Sequence, residues 1–254
     1  MICGFRATLD RMGAAQRRIA LVVDGSFCNR TFFKTALDRI DVIARCRKDA
    51  RLCWPACGSR RKYDPHRFTP EQVREQPDIP WHTARVYFGG SWRDIQYKQL
   101  MGVLWRRGAG TRPLRLIVIA PQPYKLSVHS RTHYRQPAFL LCTDRASEAH
   151  LLIQLYLDRW QIEVNHRDEK SILGVGQAQV RSPKSVPRHP AFAVASYSML
   201  LLSALQQFGP GRNHDYHPLP KWRRNAKRPS LTDLIRLMRI ENNNETSVCP
   251  IQTD

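Results

Sequence analysis

Residues Tyr156 to Lys170 read YLDRWQIEVNHRDEK, which sets an aromatic, an arginine, a glutamate and a lysine at offsets of 0, 3, 7 and 14. At 3.6 residues per turn these offsets fall within about 60° of one direction, so Tyr156, Arg159, Glu163 and Lys170 share one face of a predicted helix. A plain reading is an amphipathic surface helix with an ordinary Arg159 to Glu163 ion pair at i, i+4. The other reading is a charged working face, with the rest of the chain deciding what it works on.

Leu152, Ile153, Leu155, Ile162 and Val164 supply a buried side for that helix. Ser147 offers a cap for a helix of roughly twenty residues. The 254 residues are 42% hydrophobic, enough for a real core in one large domain or two small ones. Lys and Arg number 41 against 21 Asp and Glu, a formal charge of +20 that calls for a polyanionic partner. Nucleic acid is the commonest, because each neutralised phosphate releases condensed counterions. There is no run of 18 apolar residues, no basic-then-apolar signal peptide and no basic amphipathic anchor. The expectation is therefore no membrane partner and a cytoplasmic location.

Seven scattered cysteines do not form a disulfide framework. Cys53 and Cys57, with Cys46 before and His66 after, lack the paired CxxC knuckles of structural zinc sites, and Cys46 reads as a strand residue.

Arg18 to Ser26, RIALVVDGS, is a short β-branched run ending in Asp-Gly, as a buried parallel strand ends. NRTFFKTALDRI has helical periodicity and DVIARCRKDARL reads as a second strand, giving a βαβ unit. Functional groups in open α/β sheets sit at the carboxyl ends of strands, where Asp24 falls, although Asp before Gly is also a common turn. Residues 1–57 are taken as partial α/β core and 58–134 as a β-rich insertion. In that insertion Tyr87, Phe88, Trp92, Tyr97 and Trp105 interleave with basic residues, as in a backbone-tracking surface or simply a small sheet's core. Residues 135–208 hold the rest of the core, with a strand, the Tyr156 helix and an apolar helix expected to be a core helix. Residues 209–254 give a basic loop, a Pro-Ser helix start, a final amphipathic helix and a tail.

Together these pieces resemble the bacterial insertion-sequence DDE transposases that carry a Tyr-x2-Arg-x3-Glu-x6-Lys signature. Tyr156, Arg159, Glu163 and Lys170 reproduce its four positions and gaps, and VVDGSFCNRTFFK is similar to the strand and loop of the family's second catalytic Asp. The likeness extends from about Arg18 to Arg239, through LPKWR and KRPSLTDLIRLMR. It implies an α/β, ribonuclease-H-like fold and metal-dependent DNA cleavage and strand transfer, with Mg²⁺ or Mn²⁺ held by carboxylates. By resemblance Asp24 is the second acidic metal ligand and Glu163 the third. Tyr156, Arg159 and Lys170 would hold DNA phosphates near the transposon end.

One departure is plain. The family's first Asp lies on the opening strand, with two further strands and a helix before the second Asp. Only 23 residues precede Asp24, whereas those elements need roughly 40. Asp10, 14 residues upstream, reads as part of a short helix or loop. The chain is thus expected to be an incomplete ribonuclease-H-like domain with a β-rich insertion and C-terminal helices, inactive alone. Three functional expectations stand: a transposase, a non-catalytic DNA-binding or inhibitory remnant that associates with itself or a full-length transposase, and an unrelated basic nucleic-acid-binding protein.

Overall fold

The structure, a computed structural model, describes residues 2–35, 38–58, 60–89, 91–127, 129–209 and 230–246. The chain forms two compact units, one of Met1–Phe88 with Trp92–Arg159 and one of Gly89–Ser91 with Trp160–Asp254.

The first unit is built on an eight-stranded, mostly antiparallel sheet. Its strands are β1 (Ile19–Val23), β2 (Ile40–Arg45), β3 (Leu52–Pro55), β4 (Tyr63–Phe68), β5 (His82–Phe88), β6 (Ser91–Leu104), β7 (Pro113–Ile119) and, after the short hairpin pair β8 (Pro123–Tyr124) and β9 (His133–Tyr134), β10 (Ala138–Cys142). The order is β1-β2-β10-β7-β6-β3-β4, with β5 also paired to β6. β1 and β2 run parallel, Leu21 opposite Val42, as their apolar runs predict. Strands β4 to β7 of the stretch 58–134, expected as a β-rich insertion, are members of this same sheet. β6 is long enough to serve several neighbours because a bulge between Met101 and Val103 bends it. Gly102 makes the bend, at φ 79, a backbone region costly for other residues.

Alternation along the strands gives the sheet two apolar faces. Val42, Ala44, Leu116 and Val118 pack on one side with Phe33 of α2 (Arg30–Lys34) and Val73 of α3 (Pro70–Glu75). Ile43, Ile117, Ile119 and Leu140 pack on the other with Leu152 and Ile153 of α4 (Ala149–Asp158). The stretch DVIARCRKDARL is a strand only to Arg45; the chain then leaves the sheet and rejoins it at Leu52, the first residue of β3, several strands away.

Before β1, helix α1 (Ile2–Arg11) is tied down by a buried guanidinium. Arg6 donates to the Arg17 carbonyl, to the Ala14 carbonyl at 3.0 Å and to the Asp10 carboxylate at 2.7 Å. Arg39 grips the same carboxylate with two 3.0 Å bonds, so Asp10 anchors the entry to β1.

The second unit holds α5 (Gln161–Ser171), α6 (Ser185–Phe208) and α7 (Leu231–Thr246). The Tyr197 hydroxyl of α6 donates to Asn165 of α5 at 3.0 Å. Ser230 and Asp233 cap the start of α7 reciprocally, in keeping with the expected Pro-Ser start. Three expectations are corrected here. The twenty-residue helix is two helices, α4 and α5, interrupted at Arg159–Trp160. Both residues keep helical dihedrals, so periodicity runs through the junction and only the hydrogen-bond ladder records the break. Ser147 does not cap α4; its hydroxyl and amide bond Asp144 in a turn, and Glu148 takes the cap position without a side-chain bond. The apolar helix α6 is also not a core helix throughout. Tyr197 and Ala204 are buried, while Phe192, Met199, Leu202 and Leu205 are exposed. LPKWR and its flanks lie outside the described residues.

Candidate functional site

Because β1 and β2 are parallel neighbours, the residues that follow them leave the sheet at one end. Asp24 follows β1, and Arg45 to Lys48 end and follow β2. Helix α4 lies against both strands and brings Tyr156 and Arg159, near its carboxyl end, to the same place. The result is a cavity of about 850 Å³ lined by Asp24, Arg45, Arg47, Lys48, Tyr156 and Arg159, with Glu71 and Arg74 of α3 on its wall. Residues far apart in sequence thus converge within one unit.

Asp24 is exposed, in extended backbone (φ −79, ψ −176), and its carboxylate accepts from the Ser26 amide at 2.9 Å to cap the turn Gly25–Phe27. Ser26 holds the carboxyl below its ordinary value, against partial desolvation, and the charge of Arg159 adds to the lowering. The carboxylate is therefore ionised over the whole neutral range. Tyr156 is half-buried against the Leu152 and Ile153 face of the core, which fixes its ring while leaving its edge in the cavity.

Five cationic side chains, Arg45, Arg47, Lys48, Arg74 and Arg159, face two acids, Asp24 and Glu71. Arg74 is engaged by Glu71 at 2.8 Å and Arg47 by Asp49 at 2.7 Å. The balance still favours an anion, and arginine forks suit phosphate.

Glu163 and Lys170 lie in the second unit on α5, both exposed, in its first and last turns. Seven residues apart, they share a face of α5 to within about 20°. An acid at the amino end and a base at the carboxyl end also suit the helix dipole. Of the five sequence-assigned residues, Asp24, Tyr156 and Arg159 share one cavity, and Glu163 and Lys170 share one helix.

Among the described residues no group of three or more His, Cys, Asp or Glu side chains gathers. Asp24 nevertheless suits a hard cation of a particular kind. Mg²⁺ dehydrates reluctantly and is commonly held by one or two carboxylates plus substrate phosphates rather than by an all-protein cage. An exposed, ionised carboxylate beside several arginine side chains fits an ion that would arrive with an anionic substrate.

Sequence reasoning missed Arg45, Arg47 and Lys48. The signal was available: the rule that put Asp24 at the carboxyl end of β1 applies equally to the RCRK run at the end of β2. Compared with models of known protein families the chain matches none, and no curated protein matches it.

Proposed function

We propose that the chain is a DNA-processing protein of the DDE transposase class, complete or partial, and that the Asp24 cavity receives the phosphate backbone of transposon-end DNA. One observation supports this above the others: Asp24, Tyr156 and Arg159, assigned to one site by resemblance, line a single cavity of net positive character. Asp24 and Glu163 are the carboxylates that would hold Mg²⁺ or Mn²⁺, which when bound activates water or a 3′ hydroxyl and stabilises the leaving oxygen. Arg159 orients a phosphate through its fork, Tyr156 offers a hydrogen bond from a fixed ring, and Lys170 supplies a point charge on the Glu163 helix. Asp24, fixed by the Ser26 amide, presents its charge in one direction.

The second reading is a DNA-binding protein without cleavage, acting on itself or on a full-length transposase. It is favoured by the cavity's chemistry, since Glu71, the other acid there, is spent on Arg74.

The test is binding of end-containing duplex DNA by anisotropy, in Mg²⁺ and in EDTA. Arg159→Ala should weaken binding about tenfold or more in both, the loss expected for one charge-assisted phosphate contact. Asp24→Asn should abolish only the Mg²⁺-dependent part. DNA affinity indifferent to both substitutions sinks the reading.

A further inference from the structure

A second basic cavity lies at the other side of the same sheet. The strand order ends in β3 and β4, whereas Asp24 follows β1 at the opposite edge. The register sets Cys53 beside both Arg67 and Leu104, so the β3–β4 hairpin and the chain leaving β6 meet there. Around the buried Cys53 they form a cavity of about 590 Å³ ringed by Arg51, Arg61, Arg67, Arg106 and Arg107. Asp64 is the one acid on its wall, and it already accepts from the His66 amide at 2.7 Å. Arg106 lies over the Tyr63 ring, 5.5 Å from its centroid, which fixes one guanidinium in place.

What sets this ring apart is the gathering of five guanidiniums around one cavity with a single acid. Arg6, Arg39, Arg47 and Arg74 are each engaged by a carboxylate. Among the described residues Arg51, Arg67, Arg106 and Arg107 enter no ion pair. Five guanidiniums around one small cavity repel one another within about one Debye length, and a polyanion relieves that repulsion. The five are exposed and come from separate chain segments, so they form an open rim for a run of phosphates rather than an enclosed nest for one. Tyr63 is already covered by Arg106, which leaves backbone contact rather than base stacking as the mode of recognition.

We infer that this arginine ring is a second DNA-binding site, holding a phosphodiester tract without reading its sequence, apart from the Asp24 cavity. The inference rests on the proposed function only for the identity of the polyanion as DNA.

The experiment measures anisotropy of labelled duplex and single-stranded DNA on the full chain over a salt series, with tripolyphosphate binding as a separate arm. The Arg67→Gln/Arg106→Gln/Arg107→Gln variant should lose about tenfold or more in affinity at moderate salt, and its slope of log K against log salt should shrink by about 2 to 3. The same three positions as lysine should keep the wild-type slope. A control with equal charge loss, Arg11→Gln/Arg17→Gln/Arg30→Gln, should lose markedly less. A pocket variant no weaker than this control overturns the proposal. So does a pocket variant that loses tripolyphosphate but keeps DNA, which would assign the ring to a free phosphate. Failure of the Asp24 reading shows separately, as DNA affinity indifferent to Arg159→Ala and Asp24→Asn.

Discussion

Arg159, at the carboxyl end of α4, stands near enough to Asp24, at the carboxyl end of β1, for its charge to help hold that carboxyl below its ordinary value of 3.8. Ser26 is the larger cause. The pairing sets opposite charges side by side on one cavity wall, and under the proposed function the guanidinium would take a phosphate and the carboxylate a metal ion that comes with it.

A pH dependence follows from that arrangement. A carboxyl depressed in the folded state stays ionised as pH falls through 3.8 and protonates only below it. The Asp24 contribution to folding is therefore present above the unfolded value and lost on acidification through the folded one. Metal-dependent DNA binding should likewise persist through mild acid and be lost only below the ordinary carboxylate value of 3.8, while metal-independent binding remains. Asp24→Asn keeps the cap, since asparagine accepts the same Ser26 amide bond, and should remove the metal-dependent part at every pH. A metal response that fades near pH 6 would point to a histidine instead.

Lys98 should matter for stability out of proportion to its type. Its side chain is 2% exposed, and its ammonium donates to the Arg74 carbonyl at 3.0 Å and the Gln76 carbonyl at 2.5 Å. Those carbonyls end α3 and have no partner in the helix ladder, so the cation satisfies them and complements the dipole. It also lies 4.8 Å from the Trp81 ring centroid. Lys98→Met keeps the stem and strands both acceptors, and should cost about 3 kcal/mol in urea unfolding. A loss below about 1 kcal/mol would mean that water replaces the ammonium without penalty.

The parts of this fold legible in sequence are those where local pattern and tertiary role coincide. β10 announces itself as a short apolar run because both faces of the sheet are covered there, whereas β1, expected as a buried strand, is an edge strand that is only partly buried. Asp24 was legible as a strand-end residue. The break at Arg159–Trp160 was not, because helical dihedrals on both sides let one periodicity run across two units. The exposure of Phe192 and Met199 was equally hidden, since composition gives the apolarity of α6 but not its neighbours. The ring around Cys53 could not be read at all. Arg51, Arg67 and Arg106 are ordinary charges in sequence, and only the β3–β4–β6 register gathers them.

The cysteines offer a check on the sheet itself. Burial pushes the Cys142 thiol of β10 up to about 12, as it does Cys28, and raises Cys46 well above its ordinary value, whereas Cys3 and Cys57 are exposed. The thiolate is the nucleophile, so a brief iodoacetamide pulse near pH 8 should label Cys3 and Cys57 and spare Cys46 and Cys142 until the chain unfolds. Peptide mass spectrometry reads the pattern directly. Native labelling of Cys142 at the rate of Cys57 would contradict its place between β2 and β7.

The last prediction concerns catalysis and is negative. Metal-assisted strand displacement needs two ions clamped about 4 Å apart, one at the attacking oxygen and one at the leaving oxygen. The carboxylates assigned by resemblance are two, Asp24 and Glu163, and Asp10 is committed to Arg6 and Arg39. Two carboxylates with substrate phosphates can hold one ion, which suffices for tighter binding but not for a fixed two-ion geometry. The 254-residue chain should therefore bind end-containing DNA more tightly in Mg²⁺ or Mn²⁺ and still fail to nick or join it at a rate near that of a transposase with all three acids. The chain and its Glu163→Ala variant are assayed side by side. Metal-dependent nicking by the first and none by the second would overturn the prediction, and would require a third ligand to be supplied by another acid of this chain or by a second copy of it.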